Sequence, residues 1–315
     1  GTVVLQEDGT VVSLTGATTA NDGSDSVTLG DGNVDAVLGD GADTFTMGDG
    51  RANVIADGGE LLYYVSGLLD TATGDSSNGG NDVLTLGNGA GNSVVIGGVG
   101  SDSLVMADGD HVVGGDNAFV HLDTDGALLR GVSIDVLGDS DTITTGNGNN
   151  VILGGAGDDA ITTGDGEGIV IGDNGEILYT GTTGNLVRDR IISQDTGNGG
   201  NDVIVLGDGG KIVLAGFGSD SVTAGDGAHD VFGDNGEIVY TNGIATSLTT
   251  LDGSDVGTAT GGADTIQVGT GSGRLLGGLG NDTITAGDGQ DVILGDLGYI
   301  TMDAAGLLLE IASLP

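Results

Sequence analysis

Aspartate recurs in this chain at one place in a nine-residue unit. Residues 277–285, GGLGNDTIT, follow the pattern G-G-x-G-x-D-x-U-x, where U is large and apolar, with Asp282 at position six. The glycines reach backbone angles that other residues adopt only at a cost. They let the loop curl until its carbonyl oxygens converge, and the aspartate adds a carboxylate. A stack of such loops offers an all-oxygen cage between neighbours. That donor set suits a hard cation with flexible coordination, Ca²⁺ rather than Mg²⁺. The chain has no cysteine, so a soft metal finds no thiolate.

The spacing shows what must position these carboxylates. Residues 259–303 read as five nonapeptides in register, and the chain repeats this block at 20–64, 77–123, 136–180 and 197–241. Within a block the first and third units carry the position-six aspartate, 18 residues apart: Asp25 and Asp43, Asp141 and Asp159, Asp202 and Asp220, Asp264 and Asp282. Asp82 and Asp102 lie 20 apart, because 86–96 holds a two-residue expansion. Two nonapeptides per coil, each one turn and one short strand, predict a flattened parallel solenoid.

The second and fourth units form the other edge and depart from the pattern. Position six there is Val34, Ala52, Gly168, Lys211, His229, Gly273 or Asp291. Position three often carries aspartate instead: Asp31, Asp49, Asp108, Asp165, Asp208, Asp226 and Asp288. These read either as further ligands from a differently shaped loop or as turns bonding their own backbone. Lys211 competes for the charge in its loop. The fifth units place Asp57, Asp116, Asp173, Asp234 and Asp296 at position two, stacked on the first edge as secondary ligands.

Position eight is apolar almost throughout, as in Ile143, Ile152, Ile161 and Val170, so this column points inward and its neighbours outward. The outward residues are commonly Thr or Ser after the first and third units and apolar after the second and fourth. One sheet therefore has a wet face. The other has an apolar face that needs a cover, either the inserts between blocks or a neighbouring chain. Those inserts, with the fifth units, read strand, turn, strand at 2–14, 61–76, 119–135, 176–196, 237–258 and 299–313. The expectation is a hairpin arm about every three coils, protruding from the roll, with 2.5 coils coming from the five nonapeptides. Tyr63, Tyr179, Tyr240 and Tyr299 recur at the arm bases, which points to packing.

Acidic residues number 47 against six basic ones, a net charge of −41. Such a fold repels itself unless cations neutralise it, and full neutralisation takes about 20 divalent ions. The charge argues against nucleic acid and anionic membrane as partners, and no apolar run is long enough to span a bilayer. His111, His121 and His229 form no HExxH motif, and no serine sits in a nucleophile elbow. No catalytic constellation stands out from the repeats, so the chain is not expected to be an enzyme. It opens inside a unit, and its first and last hairpins align, which reads as a segment of a larger chain.

On GGLGNDTIT and its ten position-six aspartates, the chain resembles the RTX, or haemolysin-type, calcium-binding β-roll family. The resemblance covers nearly all of the chain outside the arms. It implies calcium ions between successive turns, held by Asp25, Asp43, Asp82, Asp102, Asp141, Asp159, Asp202, Asp220, Asp264 and Asp282 with loop carbonyls. It also implies type I secretion to an extracellular or cell-surface location. The resulting expectation is an all-β, right-handed parallel β-roll with periodic hairpin arms. Its role would be structural, in an adhesin, matrix or surface fibre. Alternatives are a filament or surface-layer subunit that self-associates end to end or through its apolar sheet face, and the calcium-folding tail of a secreted enzyme.

Overall fold

The computed structural model describes residues 2–6, 10–16, 23–74, 78–89, 93–134, 138–194, 198–251 and 261–314. The Asp-Gly turn at 8–9, the extra residues at 90–92 and the insert at 252–258 lie outside them, as do the block starts at 20–22, 77, 136–137, 197 and 259–260.

Among the described residues every regular element is a strand, and the strands form three sheets of 10, 10 and 12. The first sheet is parallel and takes the strands after first and third units, such as Thr142–Thr145, Ala160–Thr163 and Val203–Leu206. The second is parallel and takes the strands after second and fourth units, such as Val151–Leu153, Gly168–Ile171 and Lys211–Leu214. Position eight stacks in register in both. Ile143 faces Ile161, which faces Ile204, and Ile152 faces Val170, which faces Val213. These side chains meet between the two sheets as one continuous buried core.

Alternation along each strand then decides what lies outside. First-sheet strands such as Val203–Leu206 expose every second residue. Second-sheet strands such as Lys211–Leu214 are buried on both faces. Their outward residues, including Leu153, Ile171, Leu214, Phe232 and Leu276, form a second core with Leu61, Ile177, Ile191, Ile238 and Ile300 of the arms.

The arms do not protrude. They lie flat as the antiparallel third sheet over the apolar face, and each hairpin pairs with the next. Leu14 faces Leu61, Ala72 faces Val120, Gly131 faces Ile177, Ile191 faces Ile238 and Leu248 faces Ile300. The count of coils per arm is also corrected. Each block adds two strands to each sheet, not two and a half coils, because the strand of the fifth unit leaves the roll to start a hairpin, as in Gly59–Tyr63. Strands sit about 4.8 Å apart in any sheet. Two coils and one hairpin therefore advance equally, and all three sheets stay in step along the axis.

The hairpin loops are specified locally. Asn242 and Gly243 adopt φ of 53° and 77° in the two-residue turn between Gly236–Thr241 and Ile244–Thr250, the Asn-Gly geometry that suits a twisted hairpin. At 123–127 the Asp123 carboxylate accepts the N–H groups of Asp125 and Ala127, both at 2.9 Å, and Asp303 does the same at 303–307.

Ile191 is fully buried between arm and roll. Ile191→Ala is expected to cost about 2–5 kcal/mol in denaturant unfolding at saturating calcium. A loss below about 1 kcal/mol, within the scatter of surface substitutions, would mean that the arms do not pack on the roll.

Candidate metal centre

The turns that precede first-sheet strands stack along one edge, and their position-six aspartates form a continuous ladder. The Oδ1 of each accepts the backbone N–H of the aspartate one turn earlier. From Asp25→Asp43 to Asp264→Asp282 the nine distances are 2.7, 2.5, 2.8, 2.7, 2.8, 2.8, 2.7, 2.8 and 3.0 Å. The side chain thus fixes the register of its neighbour. Asp43 to Asp264 are at most 2 % exposed, Asp282 is partly buried, and Asp25 at the end is exposed.

The second carboxylate oxygen is the informative one. The Oδ2 atoms of Asp82, Asp102, Asp141, Asp159, Asp202, Asp220, Asp264 and Asp282 are buried and have no hydrogen-bond partner. Each unpaired buried oxygen is costly. Several point into space that exists only because a glycine lacks a Cβ. A methyl on Gly115 would strike Asp141 Oδ2 and the Gly154 carbonyl oxygen. One on Gly154 would strike Asp159 Oδ2 and the Gly172 carbonyl, and one on Gly277 would strike Asp282 Oδ2 and the Gly295 carbonyl. Carboxylate and carbonyl oxygens of adjacent coils therefore converge on a shared cradle.

Electrostatics agree with the geometry. Burial raises the Asp102 and Asp220 carboxyls to about 8 and Asp141 to about 10, and Asp82, Asp159 and Asp264 to about 7. Backbone N–H donors offset part of this and neighbouring carboxylates add to it. Asp202 is raised for the same reasons, burial first and Asp159 second. A row of buried acids at neutral pH needs protons or cations.

Asp57, Asp116, Asp173 and Asp234 stand on the same edge, buried, and tie each block to the next. Their Oδ2 atoms accept N–H groups from the following block: Val99 at 2.6 Å, Ala156 at 2.7 Å, and Phe217 and Leu279. Asp173 and Asp234 also accept from Gly200 and Gly262 through Oδ1. Oδ1 of Asp57 and of Asp116 has no partner. Burial raises both carboxyls to about 8. Asp296, with no coil beyond it among the described residues, is exposed.

The opposite edge is built differently. Asp31, Asp49, Asp108, Asp165, Asp208 and Asp226 are exposed and accept the position-three N–H of the next turn: Asp49, Asn88, Asn147, Asp208, Asp226 and Thr270 respectively. They form a register ladder in solvent. Asp288 is exposed too, and Asp291 accepts the Gly273 N–H at 2.8 Å. Their own backbones are not the partners, since each bond runs between coils.

Position six of this edge holds groups whose roles were hidden in the sequence. His111 and His229 are 1 % exposed and place Nε2 at 3.1 Å from the Ala107 carbonyl and 3.0 Å from the Gly225 carbonyl. A carbonyl only accepts, so Nε2 carries the proton, and burial lowers both imidazole pKa values. His121 lies on the arm sheet, 3.4 Å from Asp70. Lys211 bonds not within its own loop but to the Gly164 and Gly166 carbonyls.

Among the described residues no three His, Asp or Glu side chains converge on a single point. A cation on the first edge would therefore draw on fewer than three side chains and complete its shell with loop carbonyls, a set that fits Ca²⁺. No curated protein and no solved structure matches the chain. A family model described as the RTX calcium-binding nonapeptide repeat, four copies, matches residues 137–170 and 268–299. Those stretches hold Asp141, Asp159 with its cradle glycine Gly154, and Asp282 with Gly277, and these two stretches thus match the calcium-binding nonapeptide repeat of the RTX family.

Proposed function

We propose that this chain is a calcium-folded structural segment of a secreted protein, serving at or beyond the cell surface in adhesion, matrix or fibre formation. The observation that carries the calcium part is the file of eight buried, unpartnered Oδ2 atoms, six of which, those of Asp102, Asp141, Asp159, Asp202, Asp264 and Asp282, face carbonyl oxygens across glycine cradles. Asp82, Asp102, Asp141, Asp159, Asp202, Asp220, Asp264 and Asp282 would hold the ions on the first edge, with Asp57 and Asp116 adding an oxygen at block boundaries. Bound calcium would supply the positive charge that these oxygens lack. The exposed second-edge aspartates are not needed for this.

A site absent from the unfolded chain makes binding energy into folding energy. Export then follows naturally. The chain would stay unfolded at low cytosolic calcium, pass through a type I secretion channel, and fold outside, with extracellular-type affinities of about 10⁻⁴–10⁻³ M. Far-UV circular dichroism during a calcium titration, then chelation, tests this. The expected result is a coil spectrum that turns to β and reverts. A chain already β in chelator at pH 7.5 would remove calcium from the account of folding.

One observation favours end-to-end self-association as a second reading. The outermost arm strands, Thr2–Leu5 and Leu308–Ser313, expose Val3, Val4 and Leu5 at one end and Leu308, Leu309 and Ile311 at the other. Sedimentation of the calcium-folded sample separates stacked copies from monomers.

A further inference from the structure

The two edges of the roll share one backbone frame and close it with different chemistry. On the first edge, position six offers a carboxylate. On the second edge, through blocks two to four, the same position offers hydrogen-bond donors. His111, Asn150, Lys211 and His229 are 1, 2, 2 and 1 % exposed. Their polar atoms reach the carbonyl oxygens at positions two and four of the loops. His111 Nε2 lies 3.1 Å from Ala107 O, and His229 Nε2 lies 3.0 Å from Gly225 O. Asn150 Nδ2 donates to Gly146 O at 3.3 Å and to Gly148 O at 3.5 Å.

Loop 164–168 has Gly168 at position six and no donor of its own. Lys211, one coil further on, fills it, with Nζ donating to Gly164 O at 3.0 Å and Gly166 O at 2.6 Å. The Lys211 stem lies against Gly168, where a Cβ would be in contact with its Cδ. The glycine and the lysine thus work as a pair across 43 residues of sequence.

Converging carbonyl dipoles need a positive partner. Calcium would require six to eight oxygens at 2.3–2.6 Å. An ammonium already held by the same two carbonyls occupies that place and repels a divalent ion. Imidazole and amide N–H groups do the same at lower charge. We propose that loops 107–111, 146–150, 164–168 and 225–229 exclude calcium and are closed by the chain's own donors, with Lys211 as a tethered cation. At these four levels the metal load is then one-sided, confined to the edge that carries Asp82 to Asp282. This rests on the calcium reading of that edge.

The test uses the whole 315-residue chain crystallised in calcium, with the ions located by anomalous scattering. Peaks are expected along the first edge and none inside the four loops. A peak in any of the four overturns the proposal, whereas no peak on the first edge overturns the calcium reading instead. Lys211→Met supplies a second readout. At calcium that folds both proteins, amides of 164–168 are expected to exchange at least about tenfold faster in the variant. Unchanged exchange would show that the ammonium closes nothing. If Lys211→Met does not fold, the wild-type map alone decides.

Discussion

Asp141→Asn is expected to act in opposite directions with and without calcium. Asp141 sits in the middle of the ladder, 1 % exposed, with Oδ1 on the Asp102 N–H at 2.7 Å and Oδ2 unpartnered. Asparagine keeps the shape and can keep the Oδ1 bond. It removes the negative charge and puts an N–H₂ or a neutral oxygen where the second oxygen was. If a cation is held there, the variant leaves a buried charge short of its partner, which costs about 3–5 kcal/mol. Denaturant unfolding at fixed, saturating calcium measures that loss. In chelator the same change removes an acid that the fold can hold only in its protonated form, so near neutral pH it should stabilise whatever structure remains. Asp25→Asn, at the exposed end of the ladder, should change stability by less than about 1 kcal/mol. Equal small effects at both positions would reduce the ladder to a register device.

The second large effect is the pH dependence of the chelated chain. Burial raises the folded-state values of Asp102 and Asp220 to about 8 and of Asp141 to about 10, from 3.8. For groups raised in the fold, the stabilising contribution is fully present below the unfolded value, near pH 4. It is lost progressively as pH rises above that value, and the loss is complete only once pH has passed the folded values. Each pH unit in between removes about 1.4 kcal/mol per group. Three such groups over three units remove about 12 kcal/mol, comparable to the whole 5–15 kcal/mol of a typical domain. The chelated chain is therefore expected to be unfolded at pH 7.5 and to regain β structure as the pH falls towards 4. Circular dichroism in chelator across this range reads it directly. A chelated chain equally β at pH 4 and pH 7.5 would show that these carboxyls are not buried in the metal-free state. With calcium present the same acids are ionised in both states, and the dependence should flatten between about pH 5.5 and pH 8.

The surface ion pairs matter far less. Arg130–Glu176 and Arg190–Glu237, both at 2.6 Å, join successive hairpins on a partly exposed face. Pairs of that kind contribute at most about 1 kcal/mol. The acids that decide stability are the ones with no counter-ion in the chain.

Much of this was legible in the sequence because it is periodic. A nine-residue unit with one apolar column can bury that column only by stacking, so the ten aspartates must line one edge and the position-eight residues must meet inside. The contrast between DTITT and NVIL strands separated a wet sheet from a sheet needing a cover. What covers it was open, and the tertiary structure gave the role to the arms. They lie down because the rise of one hairpin equals the rise of two coils, a match of strand spacing that no single unit expresses. The ladder pairs residues 18 to 44 apart, and only stacking shows that Oδ1 is used and Oδ2 is left over. His111 and His229 formed no recognisable motif, because a lone histidine carries no periodic signal. Burial at position six turned them into loop-closing donors. Lys211 was visible as a misfit charge, but its target is the previous coil, since a side chain of that length spans the gap between stacked loops. The sequence by itself determined the coil and the acids. The choice between proton, lysine and metal at each loop was decided by which oxygens the folded stack leaves without a partner.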